Sequence, residues 1–189
     1  MIRIGIVGDI GSGKSFVAKK FGYPVFDADF EVNKIYKSNK NCFKKLNKIL
    51  PKCIVSFPIV KKEITKAILK KKSNLKKIIK IIHPLVRKKM NKFIIKNKKK
   101  KIVILDIPLL LENKINKKDD IIVFVESKKN KILKNLIKRS GFNLKLVKEF
   151  KTIQLPVEYK KKKSQFIVRN NFSNKFFKKD INRILEKIL

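Results

Sequence analysis

A glycine-rich segment near the start of the chain has the residue types and spacing of a phosphate-binding loop. Residues 8–15 read Gly-Asp-Ile-Gly-Ser-Gly-Lys-Ser and match the pattern G-x-x-x-x-G-K-[ST] at every fixed position. Glycines let the backbone close around phosphate oxygens, while amide groups and the start of the next helix supply partial positive charge. We predict that Lys14 reaches the β- and γ-phosphates of a nucleotide and that the Ser15 hydroxyl binds Mg²⁺. The predicted ATP-binding residues of this segment are Gly8, Gly11, Ser12, Gly13, Lys14, Ser15 and Phe16.

A second short pattern bears on which nucleotide is bound. Residues 116–119 read Asn-Lys-Lys-Asp and fit the guanine-reading pattern N-K-x-D of GTPases. In GTPases this pattern follows the end of a strand, whereas here it precedes the apolar run 121–125. No D-x-x-G element follows the apolar run 102–105 either. A chance match to N-K-x-D is expected in a chain this rich in Lys and Asn. We therefore favour a kinase over a GTPase.

Two carboxylates close a short apolar segment further along the chain. Asp27 and Asp29 follow Val25 and Phe26, at what we expect to be the carboxyl end of a strand, where ligands of α/β sheets gather. A carboxylate there can orient a sugar hydroxyl and accept its proton during phosphoryl transfer. An aspartate in this position can equally cap a helix or close a turn, and for Asp27 both interpretations stay open.

The apolar patterning indicates which elements position these residues. Continuous apolar runs predict strands that are covered on both faces, at 2–7, 25–26, 102–105, 121–125 and 166–168. Apolar residues spaced three and four apart predict helices at 15–21, within 40–98, at 130–139 and at 181–188. Strands that alternate with helices indicate an α/β fold, a mostly parallel five-stranded sheet flanked by helices.

The charge of the chain is its most unusual bulk property. Its 189 residues include 51 Lys and Arg against 14 Asp and Glu, a net charge of +37. That balance suits a nucleic-acid partner, but the lysine runs 98–101 and 160–163 lack interleaved aromatic residues, so we expect solvated surface and no specific nucleic-acid partner. The positive field would still steer ATP toward the protein.

Cysteine spacing and hydropathy predict the compartment. Cys42 and Cys53 have no CxxC spacing, and no stretch approaches the roughly 20 apolar residues of a membrane span. The apolar opening of the chain is interrupted too early for a signal peptide. We therefore predict a cytoplasmic protein with no membrane partner, and we expect a monomer.

With the phosphate loop and Asp27-Ala28-Asp29 in place, the sequence resembles the dephospho-coenzyme A kinase family. The segment Ile82-His83-Pro84-Leu85-Val86-Arg87 is similar to the family's I-H-P-x-[IV]-R. Six motifs occur in the family's order between Ile4 and about Asn170, namely the loop and residues 27–29, 82–87, 106–112, 139–160 and 166–170. One such motif would be weak, whereas six in order make a specific match. The resemblance implies a P-loop kinase fold with one domain over 1–189, a helical acceptor-binding insertion at about 34–98 and a lid at about 138–163.

The resemblance also implies a reaction and roles for individual residues. The reaction is transfer of the γ-phosphate of ATP to the ribose 3′-hydroxyl of dephospho-CoA, which yields coenzyme A. Asp29 is implied to be the catalytic base, with Lys14 and Arg139 neutralising charge on the transferred group, although a cation like Arg139 also suits a helix C-terminus. The remaining implied site residues are Asp106 near Mg²⁺ through water, Lys61, His83, Arg87, Leu109 and Leu110 at the acceptor, and Asn170 near the adenine.

Five positions depart from the family pattern. Asp9 replaces a glycine, Phe16 a threonine, Lys61 an arginine that binds phosphate with two donors, Phe150 a frequent arginine, and Arg169 an aspartate. We expect these changes to affect how the substrates are bound more than which class of reaction is catalysed. Two alternatives remain: another small-molecule P-loop kinase that acts on nucleosides or nucleotides, and a basic nucleic-acid-binding protein that uses the loop as a switch.

Overall fold

A parallel sheet of five strands carries the phosphate loop in the computed structural model, which describes residues 1–138, 141–172 and 176–189. The strands are β1 (Ile2–Gly8), β2 (Val25–Asp27), β3 (Ile102–Asp106), β4 (Ile121–Glu126) and β5 (Phe166–Arg169). Their order across the sheet is β2-β3-β1-β4-β5, and every neighbouring pair is parallel. The predicted α/β class and all of the predicted strands are confirmed.

Helices follow or separate the strands, and the spacing of apolar residues predicted all of them except Ala28–Ser38, Leu144–Lys151 and Val157–Lys162. They are α1 (Lys14–Lys20), α2 (Ala28–Ser38), α3 (Lys40–Ile49), α4 (Lys61–Lys70), α5 (Lys72–Lys96), α6 (Lys129–Ile137), α7 (Leu144–Lys151), α8 (Val157–Lys162) and α9 (Phe176–Ile188). Gly22 lies just beyond the end of α1 with φ of 75°, the left-handed conformation that ends many helices.

One face of the sheet is covered by α1 and α9. The alternate residues Ile4 and Ile6 of β1 pack with Val17 of α1 and with Phe177 and Ile184 of α9, and all five side chains are buried. Neighbours from β3, β4 and β5 extend the same apolar cluster. Burial of this stripe fixes α1, and with it the end of the phosphate loop, against the sheet.

The other face of the sheet meets the segment that follows β3. Gly5 lies on that face, and a Cβ atom there would be only 2.4 Å from Cδ2 of Leu110. A side chain at position 5 would therefore displace Leu110, which is fully buried. Since α8 also contacts β1, both faces of the central strand are covered, as expected for a parallel sheet.

The chain divides into two compact units. The sheet unit comprises Met1–Asp27, Lys96–Phe142 and Ile153–Leu189, and the helical unit comprises Ala28–Ile95 and Asn143–Thr152. The helical unit begins at Ala28, earlier than the predicted insertion boundary near 34. Of the predicted lid, α7 belongs to the helical unit and α8 to the sheet unit. A single domain over 1–189 stays a prediction.

Inside the helical unit, asparagine side chains cap two helices. Asn39 accepts the Cys42 N–H at 2.9 Å at the start of α3, and Asn143 accepts the Leu146 N–H at 3.0 Å at the start of α7. Helix α4 packs against α7 within this unit. The unit thus has defined helix ends of its own.

Candidate active site

The phosphate loop runs from the carboxyl end of β1 to the start of α1. Gly11 and Gly13 have φ angles of 83° and 87°, which residues with a side chain rarely adopt. Gly11 is also closely packed, because a Cβ there would lie 2.7 Å from Cγ of Leu136. The first bond of α1 joins the Val17 N–H to the Gly13 carbonyl at 3.0 Å. A helix that starts directly behind the loop directs the amide groups of its first turn toward a bound anion.

Lys14 reaches back across the loop. Its Nζ donates to the Asp9 carbonyl at 2.8 Å and to the Gly8 carbonyl at 3.4 Å. The carboxylate of Asp9 accepts the N–H of the next residue, Ile10, at 2.7 Å. The loop therefore holds its own cation close to the backbone, and the unusual Asp9 carboxylate is bound to the loop itself.

Ser15 and Phe16 begin the exposed side of α1. Both residues are exposed, and the ring of Phe16 meets that of Phe177 edge to face with centroids 5.2 Å apart. The Nζ of Lys20 lies 5.4 Å from the centroid of the Phe16 ring. Position 16 thus offers an aromatic surface where the family has a hydroxyl, and its contact with ATP stays a prediction.

Asn170 lies underneath the phosphate loop and has no exposed surface. Its Nδ2 donates to the Ser12 carbonyl at 2.9 Å, and its Oδ1 accepts the Phe172 N–H at 3.0 Å. The predicted position near the adenine requires correction in one respect. Because both polar atoms of the side chain are bonded to backbone inside the protein, Asn170 has no surface with which to touch a nucleotide.

Ser127 was not found by reasoning on motifs, although it contacts the same carbonyl. Its Oγ lies 2.9 Å from the carbonyl oxygens of both Ser12 and Asn170. The residue follows β4 directly, so a polar residue at the carboxyl end of a buried strand was the signal that could have indicated it.

Two carboxylates end neighbouring strands of the sheet unit. Asp27 pairs in register with Asp106 at the carboxyl ends of β2 and β3, and Asp106 also pairs with Ile6 of β1, two residues before the loop begins. Asp106 is only 4% exposed, whereas Asp27 is half-buried. The structure thus brings Asp106 to the strand ends that carry the phosphate loop, and its role near Mg²⁺ stays a prediction.

Asp29 belongs to the helical unit. It lies in the first turn of α2, which follows β2 without an intervening loop, and it is exposed. The role of Asp29 as catalytic base stays a prediction.

The predicted acceptor residues of the helical unit are Lys61, His83 and Arg87. Lys61 is the exposed first residue of α4. His83 and Arg87 lie one turn apart on α5 and line the same open hollow of about 560 Å³, together with Lys80, Lys88 and Lys92 among others. This side of α5 therefore combines cations with a concave surface.

The segment after β3 carries the predicted acceptor residues Leu109 and Leu110. Leu109 is half-buried, whereas Leu110 is fully buried against Gly5, so it supports β1 and offers no surface to a ligand. The apolar wall predicted from this pair is reduced to Leu109. Arg139, the predicted lid cation, lies outside the described residues.

A buried cation contacts the segment that follows β3, and the sequence analysis did not identify it. Lys160 of α8 is 2% exposed, and its Nζ lies 2.9 Å from Oε1 of Glu112 and 3.0 Å from Oε1 of Gln154. Glu112 Oε1 also accepts the Leu155 N–H at 3.1 Å. The expectation that the run 160–163 is solvated surface is therefore wrong for Lys160, because its ammonium group is paired with Glu112 inside the protein. Only the motif around this lysine could have singled it out.

The position of residues 116–119 in the fold argues against a guanine-reading role. Residues 116–119 precede β4, so they lie at the amino edge of the parallel sheet, opposite the carboxyl edge that carries the phosphate loop. Asp120, directly behind them, accepts the Lys117 N–H and pairs with Arg3 at 2.9 Å. Burial raises the pKa of the Asp120 carboxyl, against the lowering effects of these contacts. The segment is a structural turn into β4.

A cluster of metal ligands and a membrane-spanning helix are both absent from residues 1–138, 141–172 and 176–189. No group of three or more His, Cys, Asp or Glu there could hold a metal ion by itself, and no helix there is long and apolar enough to cross a membrane. Cys42 and Cys53 are buried free thiols. Burial raises the pKa of the Cys42 thiol to about 11, partly offset by Lys45, so this thiol stays protonated near neutral pH.

Comparison with known proteins gives a consistent result. Residues 2–175 match the model of a protein family described as dephospho-CoA kinase. The dephospho-CoA kinase of Wolbachia sp. subsp. Brugia malayi is 33% identical over 190 residues, an alignment that covers 98% of this chain and 97% of the relative.

Solved structures share the fold. The crystal structure of TT1252 from Thermus thermophilus superposes with a TM-score of 0.73 at 26% identity and covers 99% of this chain and 95% of that one. A dephospho-CoA kinase from Campylobacter jejuni gives a TM-score of 0.63 at 23% identity, over 98% and 96% of the two chains.

Proposed function

The chain belongs to the dephospho-CoA kinase family, whose members are transferases, and we propose that it transfers the γ-phosphate of ATP to the ribose 3′-hydroxyl of dephospho-CoA. The product is coenzyme A, so the reaction is the last step of coenzyme A synthesis. The observation that carries the proposal is the family match over residues 2–175, because it spans the phosphate loop and also the segments assigned to the acceptor.

ATP is held by the phosphate loop in this proposal. Lys14, whose Nζ now binds the Asp9 and Gly8 carbonyls, exchanges these partners for the β- and γ-phosphates. Gly11 and Gly13 keep the loop open to the phosphate oxygens by their positive φ angles.

The residues present fit a magnesium ion that arrives with the nucleotide. Ser15 offers an exposed hydroxyl at the start of α1, and Asp106 offers a carboxylate at the end of β3 that acts through water. Magnesium prefers oxygen ligands, usually keeps several waters, and takes one or two groups from the protein. When bound, it neutralises negative charge on the phosphates.

Asp29 accepts the proton of the attacking ribose hydroxyl. Its exposure at the start of α2 leaves the carboxylate accessible to a ligand. Phosphoryl transfer passes through a loose transition state, so orientation of the hydroxyl matters as much as proton removal. Lys14 and Arg139 neutralise the charge on the transferred group.

The acceptor is recognised by His83 and by the cations Arg87 and Lys61 of the helical unit. His83 and Arg87 share one hollow of α5, and Lys61 begins α4 with an exposed ammonium group. Dephospho-CoA carries a diphosphate, which such cations bind well. Lys61 supplies a single point charge where the family has an arginine fork, so we expect it to contribute less to acceptor affinity.

A panel of acceptors tests the reaction. ADP release is measured with ATP, Mg²⁺ and either dephospho-CoA, adenosine, AMP or shikimate, and the product is identified by ³¹P NMR. We expect turnover with dephospho-CoA to exceed the others by at least about 100-fold, since sites built to bind a polar substrate reject analogues that lack its groups. The new resonance should be that of a ribose 3′-phosphate. Equal turnover with AMP or adenosine would instead identify another small-molecule kinase.

A further inference from the structure

The peptide group between Ser12 and Gly13 decides whether the phosphate loop presents a donor or an acceptor. A trans peptide is planar, and its C=O and N–H point in opposite directions. A loop that binds phosphate needs the N–H on the ligand side and the C=O on the protein side. Glycine at position 13, with φ of 87°, removes the steric barrier that would otherwise keep this peptide from rotating.

Two side chains hold the carbonyl of that peptide from the protein side. Asn170 Nδ2 and Ser127 Oγ each lie 2.9 Å from the Ser12 carbonyl oxygen. The Ser127 hydroxyl has a single proton and lies equally close to the Asn170 carbonyl oxygen, so it donates to one of the two carbonyls at a time, whereas the Asn170 amide donates to Ser12. Rotation of the peptide would break the hydrogen bond from Asn170 and remove the one that Ser127 can offer.

Asn170 is itself fixed by further hydrogen bonds. Its Oδ1 accepts the Phe172 N–H at 3.0 Å, which assigns Nδ2 as the atom that faces Ser12. Its backbone N–H donates to the Glu126 carbonyl at 2.8 Å and so extends the pairing of β5 with β4. The amide donor is therefore anchored to the sheet and is fully buried.

The Asn170 amide lies directly against the backbone of Gly13. A Cβ atom at Gly13 would lie 2.2 Å from Asn170 Nδ2. Glycine at position 13 is thus required twice, once for its backbone angle and once to let the Asn170 amide approach the loop.

We propose that Asn170, assisted by Ser127, is a positioning residue that fixes the Ser12–Gly13 peptide with its N–H toward the phosphates of the nucleotide. Asn170 acts through the loop and does not touch ATP. This inference deepens the proposed function, since it assumes that the loop binds ATP, but it does not depend on which acceptor is phosphorylated.

Replacement of Asn170 by aspartate tests the proposal with almost no change in shape. Asn170→Asp puts an oxygen in place of Nδ2, which removes the donor and places a carboxylate charge against the Ser12 carbonyl. Because that charge also repels phosphate, Ser127→Ala, which removes a donor without adding charge, must weaken ADP binding in the same direction. We expect ADP, titrated by calorimetry without acceptor, to bind about ten-fold more weakly, the effect of one hydrogen bond with some repulsion added. The KM for ATP should rise more than kcat falls, because loop geometry acts on nucleotide binding. The Gly13 amide resonance should shift in the absence of ligand.

Asn74→Asp provides a matched control. Asn74 is also buried, and its Nδ2 donates to the Ala67 carbonyl at 2.8 Å within the helical unit. The same chemical change there should lower thermal stability and leave the affinity for ADP within about two-fold of the wild-type value.

The outcomes separate clearly. Wild-type affinity for ADP in folded Asn170→Asp, or an equal loss in Asn74→Asp, would overturn the proposal. Should Asn170→Asp fail to fold, Ser127→Ala decides, with about two- to five-fold weaker ADP binding expected and an unchanged affinity contradicting it. A wild-type protein that binds ADP but shows no turnover with dephospho-CoA would defeat the proposed function and leave this inference standing.

Discussion

At the scale of single residues, Asp9 is the substitution with the most direct physical consequence. It puts a carboxylate into the loop that receives the most negative part of ATP. The carboxylate accepts the Ile10 N–H at 2.7 Å, so it is fixed within the loop and is half-buried. The negative charge of Asp9 therefore opposes nucleotide binding, while its oxygen stabilises the loop.

Asp9→Asn separates these two effects, because it keeps the acceptor oxygen and removes the charge. We expect the KM for ATP to fall about five-fold, which corresponds to roughly 1 kcal/mol of relieved repulsion near a protein surface. The change in kcat should be small. Asp119→Asn, an exposed carboxylate before β4 at the opposite edge of the sheet, is the control and should leave both constants unaltered. A KM that stays the same or rises in Asp9→Asn would contradict this interpretation.

At the scale of elements, α8 is joined to the segment after β3 by the buried pair Lys160–Glu112. The Nζ and Oε1 atoms are 2.9 Å apart, and the two side chains are 2% and 9% exposed. The adjacent pair Lys161–Glu126 has a similar separation of 2.7 Å, but both of its side chains are 39% exposed. The chain thus contains one buried and one solvated ion pair at successive lysines.

Lys160→Met should destabilise the protein by about 3–5 kcal/mol, because it leaves the Glu112 carboxylate buried without its cation. Lys161→Met should cost less than about 1 kcal/mol, since solvent screens the exposed pair. Urea denaturation of the two variants measures the difference. The double variant Lys160→Met, Glu112→Gln removes the orphaned charge while retaining the acceptor for the Leu155 N–H, and it should regain part of the loss. Equal effects at positions 160 and 161 would show that burial does not govern this pair.

The strands and helices could be predicted from the sequence because their signals are local. Runs such as 102–105 and 121–125 are short, apolar throughout and rich in β-branched residues, which favours strands covered on both faces, and the phosphate loop has a motif of fixed spacing. The family motifs could be found for the same reason.

The side-chain partners that complete the site could not be predicted, because they come from distant parts of the chain. Asn170 is 158 positions from Ser12, and no spacing rule indicates that its amide binds that carbonyl. Leu110 lies in a turn, where residues are usually at the surface, and only the structure shows that it packs against Gly5. The lid cation Arg139 lies outside the described residues and stays a prediction.

At the scale of the whole molecule, the net charge of +37 acts on every encounter with ATP. A field of this sign raises the local concentration of polyanions and increases the association rate without any specific contact. Salt screens it, because the Debye length is about 10 Å at 0.1 M ionic strength.

We expect kcat/KM for ATP to fall severalfold as NaCl rises from about 0.05 to 0.3 M, with a smaller change in kcat. Sucrose at equal osmolality is the control and should have no comparable effect. Steady-state kinetics at several salt concentrations measure this dependence. A kcat/KM that is independent of salt would show that the lysine-rich surface does not steer the nucleotide.

The two units of the chain contribute different parts of the proposed chemistry. The phosphate loop and Asp106 belong to the sheet unit, whereas Asp29 and the acceptor cations belong to the helical unit.

Acceptor-dependent ADP release by the wild-type protein and by Asp29→Asn tests that chemistry most directly. Glu31→Gln, the other acidic residue in the first turn of α2, is the matched control. We expect robust turnover that requires dephospho-CoA, a loss of about 10²- to 10⁴-fold in kcat for Asp29→Asn, and near-normal turnover for Glu31→Gln. Affinity for ADP should be unchanged in both variants. Wild-type turnover in Asp29→Asn, or no turnover with dephospho-CoA in a protein that binds ATP, would contradict the assignment.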